Sequence, residues 1–261
     1  ASGKGVKPGI HRTEYLATEI IIPFKNGKPD LVEQKHIADK LDKVFAETER
    51  GLGIASKERK QTASLQKSLL VKVFSNPELQ KVKLGGVCDV FAGSSAPQSK
   101  TSFSSDGVPF TRVSDLATKQ NRLLTSTRDK IKPEEIDRLR LVKAKAGTTV
   151  FPKSGAAILT NSRALLGSDM YIVSHLAALS PKENIEPAYI YYYISGVDMR
   201  DYIPNVSYPS LNLSAINEIE VAMPLKNNKP DLAEQKRIVE KLDATFVLSE
   251  QLDNFFGKQE R

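Results

Sequence analysis

Apolar residues recur at alternating spacings of three and four along the first third of the chain. Leu31, Ala38, Leu41, Phe45, Leu52, Ala55, Leu69 and Val73 define a stripe, and Ile37, Val44 and Leu65 widen it. That period predicts one long helix over residues 31–75 with a coiled-coil-like seam, on the order of 65 Å long at about 1.5 Å per residue. Asp30 is placed to cap it, with Glu33 in the capping-box position. Gly51 and Gly53 weaken it locally, each by about 1 kcal/mol relative to Ala. Asn76-Pro77 ends it. A rod of this kind cannot bury its stripe alone and needs a partner helix.

Between residues 81 and 224 the pattern changes. Short apolar or alternating runs at 87–91, 108–113, 156–159 and 171–173 are separated by Gly, Ser and Pro, and helical pieces fall at 134–140 and 188–195. These predict a compact mixed α/β domain. An apolar run at 220–223 then meets Pro224, and a second helix begins at Asp231. The stretch ahead of the first helix is built alike: a β-like Ile20-Ile21-Ile22, then Pro23, then a turn-rich connector over 25–29. Residues 1–8 are small and polar and read as a loose end.

The likeness of the two ends is close. From Lys28 the chain reads KPDLVEQKHIADKLD, and from Lys229, an offset of 201 positions, KPDLAEQKRIVEKLD. About two thirds of the positions from 23–45 match those from 224–246. The connectors match as well, and connectors are not constrained by helix packing, so this is an internal repeat. The simplest arrangement returns the second helix antiparallel along the first. The expected fold is α+β: a compact mixed α/β head on an antiparallel two-helix coiled-coil stalk. Leu31, Ile37, Leu41, Phe45 and Leu52 would pack there against Leu232, Ile238, Leu242 and Phe246.

Composition narrows the chemistry. The chain has 261 residues, 40% hydrophobic and 26% charged, with a formal charge of +7. It has no apolar run near the roughly 20 residues a membrane span needs and no signal-peptide layout, so we expect a soluble, cytoplasmic protein without membrane association. A single cysteine excludes an internal disulfide, and His11, His36 and His175 lie too far apart to suggest a metal site. Pro29-Asp30 followed by Glu33-Gln34-Lys35 superficially spells a nuclease signature. Here the residues are consecutive at a helix start, where Asp caps and Glu favours the dipole. No GxxxxGK[ST], GxSxG or HExxH occurs, nor the Gly-rich loop and Asn/Asp-Pro-Pro-aromatic pair of an amino-methyltransferase. Cys88 reads as a buried structural thiol, His175 as a packed or hydrogen-bonded histidine rather than a base, and His36, opposite Arg237 in the repeat, as solvated.

The charge is unevenly spread. Residues 100–163 hold 13 Lys/Arg against 6 Asp/Glu, whereas 164–224 hold 2 against 7. The basic residues alternate with Ser, Thr and Gln in loops at 94–106, 111–115 and 152–155, which suits phosphate and base-edge contacts in duplex DNA. On that ground Lys100, Arg112, Lys143, Lys145, Lys153 and Arg163 are candidate phosphate or guanine contacts. Ser94, Thr101, Ser102 and Ser114 are candidate polar contacts, and Tyr208 is either a stacking residue or a core tyrosine. These features alone leave open ordinary solvated loops, or a coiled-coil adaptor that binds only protein partners.

The string from Pro224 through Asp231-Leu232-Ala233-Glu234-Gln235-Lys236-Arg237-Ile238-Val239-Glu240-Lys241-Leu242-Asp243 resembles the helical regions in specificity subunits of type I restriction-modification systems. There, a proline, a short linker and an L-x-E-Q-K-x-I-x-x-K-L-D helix follow each target recognition domain. Lys83-Leu84-Gly85, residues 107–116, residues 154–158 and Leu211-Asn212-Leu213-Ser214 are also similar to family patterns, and the resemblance covers about residues 10–261. It implies a non-catalytic DNA sequence-recognition subunit reading one half of a bipartite site, with no cofactor of its own. Its implied partners are double-stranded DNA, methyltransferase (modification) subunits that use S-adenosylmethionine, and a restriction subunit that uses ATP. The implied division is a remnant of a preceding recognition domain at 1–23, a first spacer helix at 24–76, a target recognition domain at 77–224 and a shortened second spacer at 225–261. With one recognition domain where the family has two, the chain resembles a half-subunit, and a homodimer through the helical stalk would restore the pair.

Overall fold

A computed structural model describes residues 19–119, 122–205 and 209–257. The chain divides into two units, Ala1–Glu58 and Arg59–Arg261. No helix of the described residues is long and apolar enough to cross a membrane.

In the first unit, strands β1 (Phe24–Lys25) and β2 (Lys28–Pro29) form a minimal hairpin. Its two-residue turn puts Asn26 and Gly27 at φ +53° and +73°, a left-handed pair that Asn-Gly adopts at little cost. Asp30 then caps the helix as expected: its Oδ1 accepts from the backbone N–H of Val32 and Glu33, both at 3.1 Å. The helix is continuous over Leu31–Phe74, 44 residues, and the two glycines do not break it. Within this unit its stripe is uncovered: Leu31, Ile37, Leu41, Phe45 and Leu52 are all exposed. Ile20-Ile21-Ile22 forms no strand and is also exposed, because no partner strand is offered to it among the described residues of the unit.

The second unit holds strands β3 (Gln80–Lys83), β4 (Cys88–Ala92), β5 (Phe103–Thr111), β6 (Leu123–Leu124), β7 (Asp129–Ile131), β8 (Lys143–Ala144), β9 (Thr149–Pro152), β10 (Ala164–Leu166), β11 (Met170–Ile172), β12 (Leu176–Pro181) and β13 (Glu220–Met223). A five-stranded sheet runs β4-β12-β9-β10-β6 and a four-stranded sheet β7-β5-β11-β8. β3 pairs with β13, joining the domain's entry to its exit. Residues 156–159, expected as strand, are instead part of a 3-10 helix, Ala156–Thr160, opened by Gly155 at φ +75°.

Two cores flank the five-stranded sheet. Phe151, Ala177 and Leu179 point to a cluster built around the helix Pro187–Gly196, while Val150, Leu176 and Ala178 point to a second cluster with Phe110, Ile131, Met170 and Ile172. This is the period-2 alternation of a strand buried on both sides. Cys88 is buried, as expected, and desolvation pushes its thiol up to about 12. Tyr189 and Tyr193 of the Pro187–Gly196 helix donate their hydroxyls to the carbonyls of Ala222 and Glu220, both at 2.6 Å, fastening that helix to β13.

The repeat recurs in three dimensions. Strands β14 (Leu225–Lys226) and β15 (Lys229–Pro230) form a second minimal hairpin with the same register, and Asn227 and Asn228 take φ +52° and +60°. Asp231 caps the second long helix, Leu232–Gly257, by accepting from Ala233 and Glu234 N–H at 3.0 and 3.2 Å. Unlike the first copy, this one is packed. Ile238, Val239 and Leu242 are buried and Phe246 meets Tyr192 edge-on at 5.1 Å, while Leu232 is half-buried. Gln235, fully buried, accepts from Glu186 N–H at 2.9 Å and donates to the Asn184 carbonyl at 3.2 Å. The expected burial of Ile238, Leu242 and Phe246 is present, but its main partner is the tyrosine-rich helix of the domain. The end of the first helix packs on the same helix, with Phe74 edge-on to Tyr189 and Tyr193 at 5.4 and 5.0 Å. Leu69, Val73 and Ile238 line a groove of about 550 Å³ where the two long helices come near each other.

A charged joint completes this interface. Both Nη groups of Arg122 meet the Asp243 carboxylate, and Nη1 lies 3.1 Å from the Tyr192 hydroxyl. The guanidinium sits 5.4 Å from the Tyr192 ring centroid, and the tyrosine hydroxyl donates to Asp243 at 2.5 Å. Replacing Asp243 by Ala strands a half-buried cation and a phenol. We expect a loss of about 1.5–3 kcal/mol in urea unfolding, the scale of hydrogen bonds to charged groups. Asp42→Ala, at the equivalent exposed position of the first copy, should be close to neutral by the same measurement.

Candidate nucleic-acid interface

The turn between β11 and β12 is the point on which the basic loops converge. It closes with Leu176 N–H donating to the Val173 carbonyl at 2.9 Å. On one side β11 runs parallel to β5, with Tyr171 opposite Phe110 and Ile172 opposite Thr111. On the other it pairs with β8, with Tyr171 opposite Lys143. Ser94 bridges to Val173, accepts from Ser174 N–H at 2.7 Å through its carbonyl, and accepts from Val142 N–H at 3.1 Å through its Oγ. Lys153 N–H donates to the His175 carbonyl at 2.9 Å, and the Lys153 carbonyl accepts from Leu211 N–H at 2.8 Å. Ser94, Arg112, Lys143 and Lys153 are thus gathered around one turn from four separate segments.

Gly93 makes this convergence possible. A Cβ there would lie 2.0 Å from the Ile172 carbonyl oxygen and 2.4 Å from that of Val173. Both are backbone atoms already engaged, by Ser94 N–H at 3.1 Å and Leu176 N–H at 2.9 Å, so neither can give way.

The electrostatics of the gathered cations differ. Arg112 pairs its Nε with Asp129, and its guanidinium carbon sits 5.6 Å from the centroids of both Phe103 and Phe110. That edge is committed, which leaves the Nη end for a ligand. Lys143 pairs with Asp169 at 2.8 Å, and this contact raises the ammonium pKa and holds the Asp169 carboxyl below its ordinary range. Lys153 is half-buried and Lys145, just past β8, is exposed; neither makes a salt bridge among the described residues.

The other candidates lie elsewhere. Lys100 and Thr101 are exposed in the 3-10 helix Lys100–Ser102 ahead of β5, and Ser114 is exposed in the 3-10 helix that follows Arg112. Ser102 is 3% exposed and donates its hydroxyl to Glu135 at 2.7 Å, so it pins that helical turn and has no surface to offer a ligand. Arg163 is 4% exposed. It donates to the carbonyls of Asn161 and Val197 at 2.6 and 2.5 Å and to Asn161 Oδ1 at 2.9 Å, and desolvation brings its pKa down to about 10. It is a core arginine that ties the loop after Ile158 to the end of the tyrosine-rich helix, and the expectation of a DNA contact there is corrected. Tyr208 lies outside the described residues.

His175, expected as a packed or hydrogen-bonded histidine, is exposed at the tip of the β11–β12 turn and hydrogen-bonded to Ser154. Its place in a turn had a local signal: a Ser-His pair between two apolar runs marks a tight turn rather than a continuous strand. Among the described residues no group of three or more His, Cys, Asp or Glu could hold a metal ion.

Among curated proteins none matches the chain. A solved chain from work on the complex assembly and conformational transition of the type I R-M system is similar at 21% identity and TM-score 0.65, covering 89% of this chain and 56% of that one. The HsdS subunit from Thermoanaerobacter tengcongensis is similar at 22% identity and TM-score 0.56, covering 90% of this chain and 56% of that one. The chain therefore spans just over half the length of the solved proteins it matches, and at these identities the likeness establishes the fold. The model of the type I restriction modification DNA specificity domain matches residues 76–254, and the chain belongs to that family.

Proposed function

We propose that the domain of residues 77–224 reads duplex DNA with the face centred on the β11–β12 turn, as the sequence-recognition component of a type I restriction-modification assembly. The observation that carries this is the convergence of Ser94, Arg112, Lys143 and Lys153, from four segments, on one glycine-dependent turn. Lys100, Thr101, Ser114 and Lys145 flank it as phosphate contacts. Ser102 and Arg163 are left out because they are buried. Phosphate contacts set register and affinity, and side chains that reach base edges set sequence. Methyltransferase and restriction subunits would supply the chemistry, in the cytoplasm, with this chain as their scaffold and address.

The exposed stripe of Leu31, Ile37, Leu41, Phe45 and Leu52 supports a further element of this reading, a homodimer through the first helix. A row of large apolar side chains of that length is costly to leave in water. Two copies would present two reading heads to a bipartite site.

The test is selection from random-sequence duplex DNA by the assembled complex containing this chain. A recovered motif with fixed half-site spacing is expected. A pool without sequence preference would overturn the proposal, and retention of protein partners without DNA would favour an adaptor.

A further inference from the structure

His175 and Ser154 form a pair that the reading above does not yet use. The Ser154 Oγ and His175 Nδ1 are 2.6 Å apart, and both residues stand on backbone that is fixed on every side. Lys153 N–H holds the His175 carbonyl, Leu176 N–H closes the turn on Val173, and Gly155 N–H donates to the Pro209 carbonyl at 2.9 Å. Ser154 is further bridged to Ser210. His175 is exposed, and its Nε2 has no hydrogen bond among the described residues.

We infer that His175 reads a base edge through Nε2 and that Ser154 is its positioning residue. This rests on the proposed DNA-reading role of the same face. The physical case is one of pre-organisation. A free imidazole on a turn rotates and exchanges tautomers, and ordering it at an interface has an entropic cost. Here Nδ1 is already engaged, so one ring edge is fixed and the other points outward, with Lys153 on the adjacent residue to meet a phosphate. The hydroxyl also sets the chemistry of the free edge. When Ser154 donates to Nδ1, Nε2 carries the proton and suits the O6/N7 acceptors of guanine. When Ser154 accepts, Nε2 is bare and suits the amino group of adenine or cytosine. Each state narrows the bases that can face Nε2, a protonated edge to those presenting acceptors and a bare edge to those presenting an amino group.

The experiment is the duplex selection above, repeated with His175→Ala, His175→Gln, Ser154→Ala and Ser154→Thr in the assembled complex. The wild-type motif comes first: its absence would sink the DNA-reading proposal itself, independently of this pair. Given a motif, His175→Ala should lower discrimination at one base position by about 2- to 13-fold, the worth of a single hydrogen bond, and leave the other positions intact. Ser154→Ala should blur that same position, and Ser154→Thr, which keeps the hydroxyl, should restore it. His175→Gln, which offers both a donor and an acceptor, should shift preference at that position alone. An unchanged motif in His175→Ala, or equal weakening at every position, would overturn the inference, because the first means no contact and the second a phosphate contact.

Discussion

Raising salt from about 50 to about 200 mM should cut the duplex affinity of an assembly containing this chain by at least about 40-fold per reading head. Each phosphate neutralised contributes about −0.9 to the slope of log affinity against log salt. Lys100, Lys145 and Lys153 make no salt bridge among the described residues and are ready to act. Three such contacts across a fourfold change in salt give roughly 40-fold. Arg112 and Lys143 carry carboxylate partners, Asp129 and Asp169. These pairs are partly exposed, so each is worth little and can be exchanged for a phosphate. With both recruited the loss is about 500-fold. Fluorescence anisotropy over a salt series distinguishes the two values. An affinity that does not move with salt would leave the cationic face without a role.

Truncating Leu242 to Ala should destabilise the protein by about 2–5 kcal/mol, and truncating Leu41 by under about 1 kcal/mol, although the two occupy the same position of the repeat. Leu242 is 1% exposed within the cluster around the tyrosine-rich helix, so its loss leaves a cavity. Leu41 is 49% exposed and has little to lose. Urea unfolding measures both. Equal effects at low protein concentration would contradict the uncovered first helix. An effect of Leu41→Ala that grows with protein concentration would mark that stripe as a dimer surface, since stability is then linked to association.

Much of this was legible in the chain. The period of three and four placed the first helix within a residue of its end at Phe74, because a long amphipathic stripe with a cap and an Asn-Pro stop leaves few alternatives. The repeat was legible down to the capping aspartates, and Asn26-Gly27 carried a hairpin signal that was read only as a turn. Strand β12 was missed: Leu176-Ala177-Ala178-Leu179 is buried on both faces and so shows no alternation. Periodicity shows that a face must be covered and says nothing of what covers it, and the tyrosine-rich helix takes part in covering Ile238 and Leu242. At the site, charge and loop composition pointed to Arg112, Lys143 and Lys153. They could not separate these from Arg163, because burial of an arginine depends on carbonyls such as Val197 that are distant in sequence.

The pairing of β3 with β13 has one more consequence. Lys83 sits opposite Glu220 and Gln80 opposite Met223, so everything between them leaves and rejoins the helical frame through a single two-stranded gate. A cassette closed in this way can be cut out and replaced by another of different sequence taste while the frame around it keeps its length and direction. Exchange of residues 84–219 between relatives should therefore transfer target choice whole, at the cost of refitting only the few side chains where the frame rests on the tyrosine-rich helix.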